Sequence, residues 1–162
     1  MKLTLREYNS ADLEEVLALF YDAVHNVCSK DYTPGQLDAW APALADKKRW
    51  DDTLLRSYAV VAVRDDSIAG FANIDRTGHL DRLYVHSSCQ GNGVGGALLR
   101  EMEAFAAREE RPVISVEASL TARDFFLRHG YRIVKEQMVW RNGEYLTNYV
   151  MNKQTVTGAS KL

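Results

Sequence analysis

No stretch of about eighteen apolar residues occurs in this chain, and its opening MKLTLREYNS has no apolar run of about seven to fifteen residues behind a basic end. The first lack argues against a membrane-spanning helix and the second against export, so the expected location is the cytoplasm. Cysteine is nearly absent: Cys28 and Cys89 lie far apart, with no CxxC or Cys/His spacing of a zinc site. Both read as free thiols in a reducing compartment, and no metal site is expected. Charge of one sign is missing too. The formal net charge is −2 and the lysines and arginines are scattered rather than striped, which removes the electrostatic footprint of nucleic-acid binding. Three prolines in 162 residues leave no Pro-rich linker, and no repeat or low-complexity segment is present.

What the chain does have is 46% hydrophobic and 26% charged residues, the balance of one globular domain, expected over residues 1–151 with 152–162 as a flexible tail. Leu3 and Leu5 alternate with polar neighbours as a strand. Asn9, Ser10 and Asp12 then offer caps to an amphipathic helix whose apolar residues run from Leu13 to Val27. Thr33-Pro34 opens a short helix over about 34–40. Residues 58–64, 68–76 and 79–85 read as an antiparallel meander with turns at Asp65-Asp66 and Thr77-Gly78. A glycine-rich loop leads into a helix over 94–109 and a strand over 112–118, a crossover that should be parallel and right-handed. Thr121 is expected to cap a helix ending at His129-Gly130, and Asn142-Gly143 to turn a hairpin between 131–141 and 144–151.

The loop Gln90-Gly91-Asn92-Gly93-Val94-Gly95-Gly96 sits between a strand and a helix. There, main-chain amides converge on an anion and the helix N-terminus adds partial positive charge. No Lys or Arg occurs between His86 and Leu99, so the anion should be held by backbone donors. A Walker loop is excluded, since Ala97 stands where its lysine must be. The dinucleotide pattern GxGxxG is matched by Gly91, Gly93 and Gly96, but five residues separate the strand from the first glycine, and too little chain follows for that fold. A tight turn with no ligand is the bland alternative.

Gln90-x-x-Gly93-x-Gly95, preceded by Leu83-Tyr84-Val85, resembles the Q/R-x-x-G-x-G signature of the GNAT superfamily of acetyltransferases. Ala122-x-x-x-Phe126-x-x-x-Gly130-Tyr131 is similar to that family's AxxxYxxxGF helix. The segments from Tyr32 to Trp40 and from Leu146 to Tyr149 look like its YafP-like branch. The resemblance implies an α/β (α+β) fold: a mixed, largely antiparallel sheet of about seven strands flanked by helices, with a splayed parallel pair. It implies acetyl-CoA as cosubstrate, with the diphosphate on Gln90, Gly91, Asn92, Gly93, Val94, Gly95 and Gly96. The pantetheine arm would lie along Leu83, Tyr84 and Val85, and Ser119 and Phe126 would adjoin it. The Val85 N–H would polarise the thioester carbonyl, an effect worth on the order of a hundredfold or more in rate.

An amine acceptor must lose a proton before it attacks. The leading candidate base is His79, whose position is similar to that of a Glu in histone acetyltransferases; Asp81, on the same strand face barring a bulge, could share the proton path. Glu117 is a second candidate base. The family's usual general acid is a Tyr, but Phe126 stands there, and Ser119 stands where an Asn is usual; water or the Tyr84 hydroxyl is left to protonate the thiolate. Tyr131 is expected in the core. Tyr21, His25, Tyr32 and Trp40, with Trp50, are the candidate walls of the acceptor pocket. The expected activity is N-acetylation of a primary amine, against a non-catalytic acyl-CoA sensor or a dinucleotide oxidoreductase. Whether the chain is a monomer or a homodimer stays open.

Overall fold

The computed structural model describes residues 2–155. Strand β1 (Thr4–Glu7) leads to Asn9, which caps the following turn reciprocally: its side chain accepts from the Ala11 N–H and its own N–H donates to Asp12. Arg6 holds the same buried carboxylate through two nitrogens, at 2.8 and 2.9 Å. Helix α1 (Leu13–Asp22) is shorter than its apolar spacing predicts, because Ala23–Val27 winds on as a π turn. Thr33 caps α2 (Pro34–Trp40) in a reciprocal pair with Gln36, as expected, and Asp46 caps α3 (Lys47–Arg56).

The meander forms as β2 (Tyr58–Arg64), β3 (Ser67–Ile74) and β4 (His79–Val85). Asp65 and Asp66 both take positive φ, 53° and 62°, the backbone a two-residue hairpin requires. After the glycine loop come α4 (Val94–Arg108), β5 (Val113–Ser119), α5 (Arg123–Arg128), β6 (Arg132–Arg141) and β7 (Glu144–Gln154). Strand β7 runs past residue 151, where a tail was expected to begin; 156–162 lie outside the described residues. Thr121 does not cap α5. Its hydroxyl donates to Asp31 instead, and Ser119 Oγ accepts from the Ala122 N–H. The local motif could not reveal that Asp31, ninety positions away, competes for this hydroxyl.

The seven strands follow the order β1-β2-β3-β4-β5-β7-β6, antiparallel except for β4 beside β5. One face packs on α4 through Leu80, Leu98, Leu99, Met102, Ile114 and Met151, and the other on α1 to α3 through Val16, Phe20, Leu37, Leu54 and Phe71. Burial of each such side chain is worth about 1.5–3 kcal/mol before entropy is counted. Gly70 sets the closeness of the first contact: a Cβ there would lie 2.9 Å from both Val94 Cγ1 and the Tyr84 carbonyl oxygen. No helix among the described residues is long and apolar enough to cross a membrane.

Two features of β4 position the site. It pairs with β5 only at His79–Ser115 and Leu80–Val116, and then the strands part. Its register with β3 also slips, from Asn73–Arg82 to Ile74–Leu80, so Asp81 is a bulge. The slip puts His79 on the same face as Arg82 and Tyr84, while Leu80, Leu83 and Val85 pack towards α4.

Candidate active site

The parting of β4 and β5 leaves two clefts that share Tyr84, Glu117 and Ser119 in their walls, one towards α4 and one towards α2 and α3. On the α4 side a cleft of about 690 Å³ is lined by Leu83, Tyr84, Val85, the glycine loop, Ser119 and the start of α5. The His86 N–H donates to the Ala69 carbonyl at 2.8 Å. By the alternation of an antiparallel ladder, Tyr84 then bonds β3 through its main chain, while the main-chain groups of Leu83 and Val85 face the gap. Gln90 reaches back to this strand: its Nε2 donates to the Val85 carbonyl at 2.9 Å, clamping the loop to β4.

The first helical bond of α4 is from the Ala97 N–H to the Gly93 carbonyl, so the amides of Val94, Gly95 and Gly96 have no intrahelical partner. Gly93 holds φ at +82° and a Cβ there would meet nothing within 4 Å, so its glycine is required by backbone conformation, with open space in front. Asp22 anchors the loop's entry, accepting from the Ser87 N–H at 2.8 Å and the Ser87 hydroxyl at 2.9 Å. Burial alone would raise the pKa of Asp22, but these bonds, Asn26 and nearby His86 outweigh it and hold it below the ordinary carboxylate range.

Cations stand at this cleft as well, where an anion was expected to be held mostly by backbone donors. Arg100, Arg128 and Lys30 line it, from three separate elements. Arg100 was within reach of the sequence, since it lies one helical turn beyond Gly96, whose added Cβ would be 3.3 Å from the Arg100 Nη1. Arg128 and Lys30 are brought in only by folding. Asn92 is exposed and stands outside the cleft lining. Phe126 is 3% exposed and packs edge-on against Tyr131, forming floor without offering a proton. Tyr131 is buried, and its hydroxyl donates to Glu103.

On the other face a cleft of about 630 Å³ is lined by His79, Asp81, Arg82, Glu117 and Ser119, with walls from Tyr32, Trp40 and Trp50. Tyr84 lines both clefts. Its hydroxyl accepts from Trp40 Nε1 at 3.2 Å, and among the described residues nothing accepts its own proton. Burial pushes this phenol far above the ordinary tyrosine range, with the Trp40 bond opposing in part. His79 Nδ1 lies 3.0 Å from Ser115 Oγ, which fixes the ring and leaves Nε2 to the cleft. The Asp81 carboxylate turns to Arg82 at 2.9 Å and Asn73 at 3.3 Å rather than to His79, because the bulge breaks the shared face. Glu117 accepts from Gln137 at 2.6 Å.

Tyr21 and His25 do not join these walls. Their rings stack on each other at 3.9 Å, and His25 Nε2 lies 2.8 Å from the Ala41 carbonyl. The four-residue spacing does bring the two rings together, but the face they share turns to Ala41 and solvent rather than to the cleft, which the spacing alone does not reveal. Sequence reasoning also missed Asn148, Arg141 and Arg49, which line the cleft on the α2 and α3 side from β7, β6 and α3. Among the described residues no cluster of His, Cys, Asp or Glu is arranged to hold a metal ion.

Residues 28–153 match the family profile described as "Acetyltransferase (GNAT) domain". The chain is similar to the uncharacterized N-acetyltransferase YafP of Escherichia coli K12, 34% identical over 150 residues that make up 92% of this chain and 94% of that one. Among solved structures, the GCN5-related N-acetyltransferase of Rhodopseudomonas palustris superposes with a TM-score of 0.92 at 30% identity, over 95% of this chain and 96% of that one. The PaiA N-acetyltransferase of Thermoplasma acidophilum, solved with coenzyme A, gives 0.78 at 16% identity over 95% and 99%, a likeness of fold alone.

Proposed function

The chain belongs to the GNAT family of acetyltransferases, and on that premise we propose that it transfers the acetyl group of acetyl-CoA to a primary amine of a small molecule or peptide, by direct attack in a ternary complex. The observation that carries this reading is the position of Tyr84, on a strand that parts from its neighbour and between a cleft rich in free amides and a separate aromatic-walled cleft.

The residues present fit the cosubstrate. The amides of Val94, Gly95 and Gly96, with Arg100 and Arg128 nearby, suit a diphosphate, and the open main-chain groups of Leu83 with the Val85 N–H suit an extended amide-bearing arm. Acetyl-CoA supplies an acyl group activated as a thioester. The Val85 N–H, its carbonyl already taken by Gln90, donates to the oxygen on which negative charge develops. His79, its ring fixed by Ser115, takes the proton from the amine through Nε2, directly or by way of water. The Tyr84 hydroxyl, whose proton no described residue accepts, donates a hydrogen bond to the departing thiolate, the task for which Phe126 has no hydroxyl, and water completes the proton delivery.

Thiol release from acetyl-CoA across a panel of amines tests this reading. Acetyl-dependent thiol release with some amine is expected; binding of coenzyme A with no turnover on any amine would favour a sensor, and stabilisation by a dinucleotide alone would overturn both.

A further inference from the structure

The acceptor-side cleft divides its polar groups unequally. Its three carboxylates all have donors: Asp46 takes the Arg49 N–H, Asp81 takes Arg82, and Glu117 takes Gln137. Two of its three arginines have no acceptor among the described residues. Arg82 is paired with Asp81 and lies 4.1 Å over the Trp50 ring, whereas among the described residues the guanidinium groups of Arg49 and Arg141 make no ion pair. Glu144, opposite Arg141 in the hairpin, turns its carboxylate to Gly35. At the other end stands an acceptor with no donor: Asn148 Oδ1 is buried without a hydrogen-bond partner. Strand register puts Asn148 beside Ser119 on one side and Gln137 on the other, next to Glu117.

A buried acceptor left unpaired costs about 1–3 kcal/mol, so Asn148 Oδ1, alone of the unpaired buried acceptors in lining this cleft, is open to a donor from a ligand or from water. We propose that the acceptor is a primary amine carrying an anionic group, a carboxylate or a phosphate, at its far end. The amine nitrogen donates to Asn148 Oδ1 beside Glu117, and the anion is held by Arg141 and Arg49. Both guanidinium groups present planar N–H forks suited to two oxygens of such a group. The inference rests on the acetyltransferase reading above and adds the substrate class to it.

The test is steady-state kinetics with ω-amino carboxylates of increasing length, the matching ω-aminoalkyl phosphates, amino alcohols and diamines. Anionic acceptors should exceed alcohols of equal length by roughly ten- to a hundredfold in kcat/KM, and the carboxylate and phosphate arms tell which anion is read. Arg141→Gln should collapse this ratio towards one and Arg141→Lys should retain part of it. Asn148→Ala should lower kcat/KM for anionic acceptors while the dissociation constant of coenzyme A stays as in the parent protein. Diamines or alcohols that equal the anionic amines, or a ratio untouched by Arg141→Gln, would overturn the proposal. If no amine turns over, calorimetry with the same ligands, with and without coenzyme A, decides. Preferential binding of anionic amines that Arg141→Gln abolishes upholds this inference while the acetyltransferase reading falls; equal binding, or none, sinks it.

Discussion

Trp40 Nε1 donates to the Tyr84 hydroxyl at 3.2 Å, tying the end of α2 to the strand that separates the two clefts. The bond consumes a lone pair of the phenol oxygen and leaves its proton for another group. Tyr84→Phe keeps the packing against Phe20 and Phe71 and removes the hydroxyl, which also leaves Trp40 Nε1 without this acceptor. Turnover should fall by about 10² to 10³, the weight of one donor lost from developing negative charge, with coenzyme A affinity preserved. Pre-steady-state thiol release checks this, and an unaltered rate would leave solvent as the acid.

His79→Ala should lower turnover by roughly 10² to 10⁴ and leave acetyl-CoA binding close to that of the parent protein. Ser115→Ala, which frees the ring without removing it, should cost less than His79→Ala. Calorimetric binding beside turnover separates the two effects. Unchanged turnover in His79→Ala would transfer the role to Glu117 or to water.

Gly93→Val should give a folded protein that does not bind coenzyme A. A Cβ at this position touches no protein atom within 4 Å, so the fold pays only for φ at +82°, about 1–2 kcal/mol, while the side chain fills the space before the amides. Gly70→Ala is the contrasting case. Its Cβ would meet Val94 Cγ1 and the Tyr84 carbonyl at 2.9 Å, so the melting temperature itself should drop. Thermal denaturation with and without coenzyme A distinguishes these outcomes.

Asp22→Ala should weaken coenzyme A binding without touching the cleft walls, because it releases both bonds to Ser87 at the loop's entry. The loss is expected at about 1–3 kcal/mol. The folded pKa of this carboxylate is depressed, so its contribution is present above the ordinary carboxylate value near 4 and is lost as pH falls through the folded value. Acid titration of stability should therefore be flatter in Asp22→Ala than in the parent protein.

At the alkaline end the sign reverses. Burial pushes Tyr32 up to about 12 and raises Tyr8, Tyr84 and Tyr131 further, the last also by Glu103. Unfolded tyrosines ionise near 10 while these folded ones resist, so stability is complete below about 10 and is lost as pH rises towards 12 and beyond. Denaturant midpoints measured over that range should decline, and a Tyr131→Phe variant should decline less steeply.

Much of the fold was legible because its signals are local. Asn9 and Thr33 cap their helical turns, and Asn142 and Gly143 take φ of 48° and 89° at the hairpin, since these depend on a few neighbouring residues. The glycine loop was legible for the same reason. His25 keeps its four-residue pairing with Tyr21 but turns to Ala41 by tertiary packing, and Asp81 lost its shared face with His79 through a bulge that only the pairing of two strands reveals. Thr121 reads locally as a cap, yet Asp31 claims its hydroxyl.

By itself, then, the order of residues determined most of the elements, the glycine loop with its unpaired amides and the family to which the chain belongs, all matters of neighbouring backbone and short spacings. Tertiary structure alone decided which charges and acceptors share a cleft. Arg49, His79, Arg141 and Asn148 come from α3, β4, β6 and β7, and what joins them is the sheet order β5-β7-β6 together with helices packed across it, a long-range arrangement that no local pattern encodes.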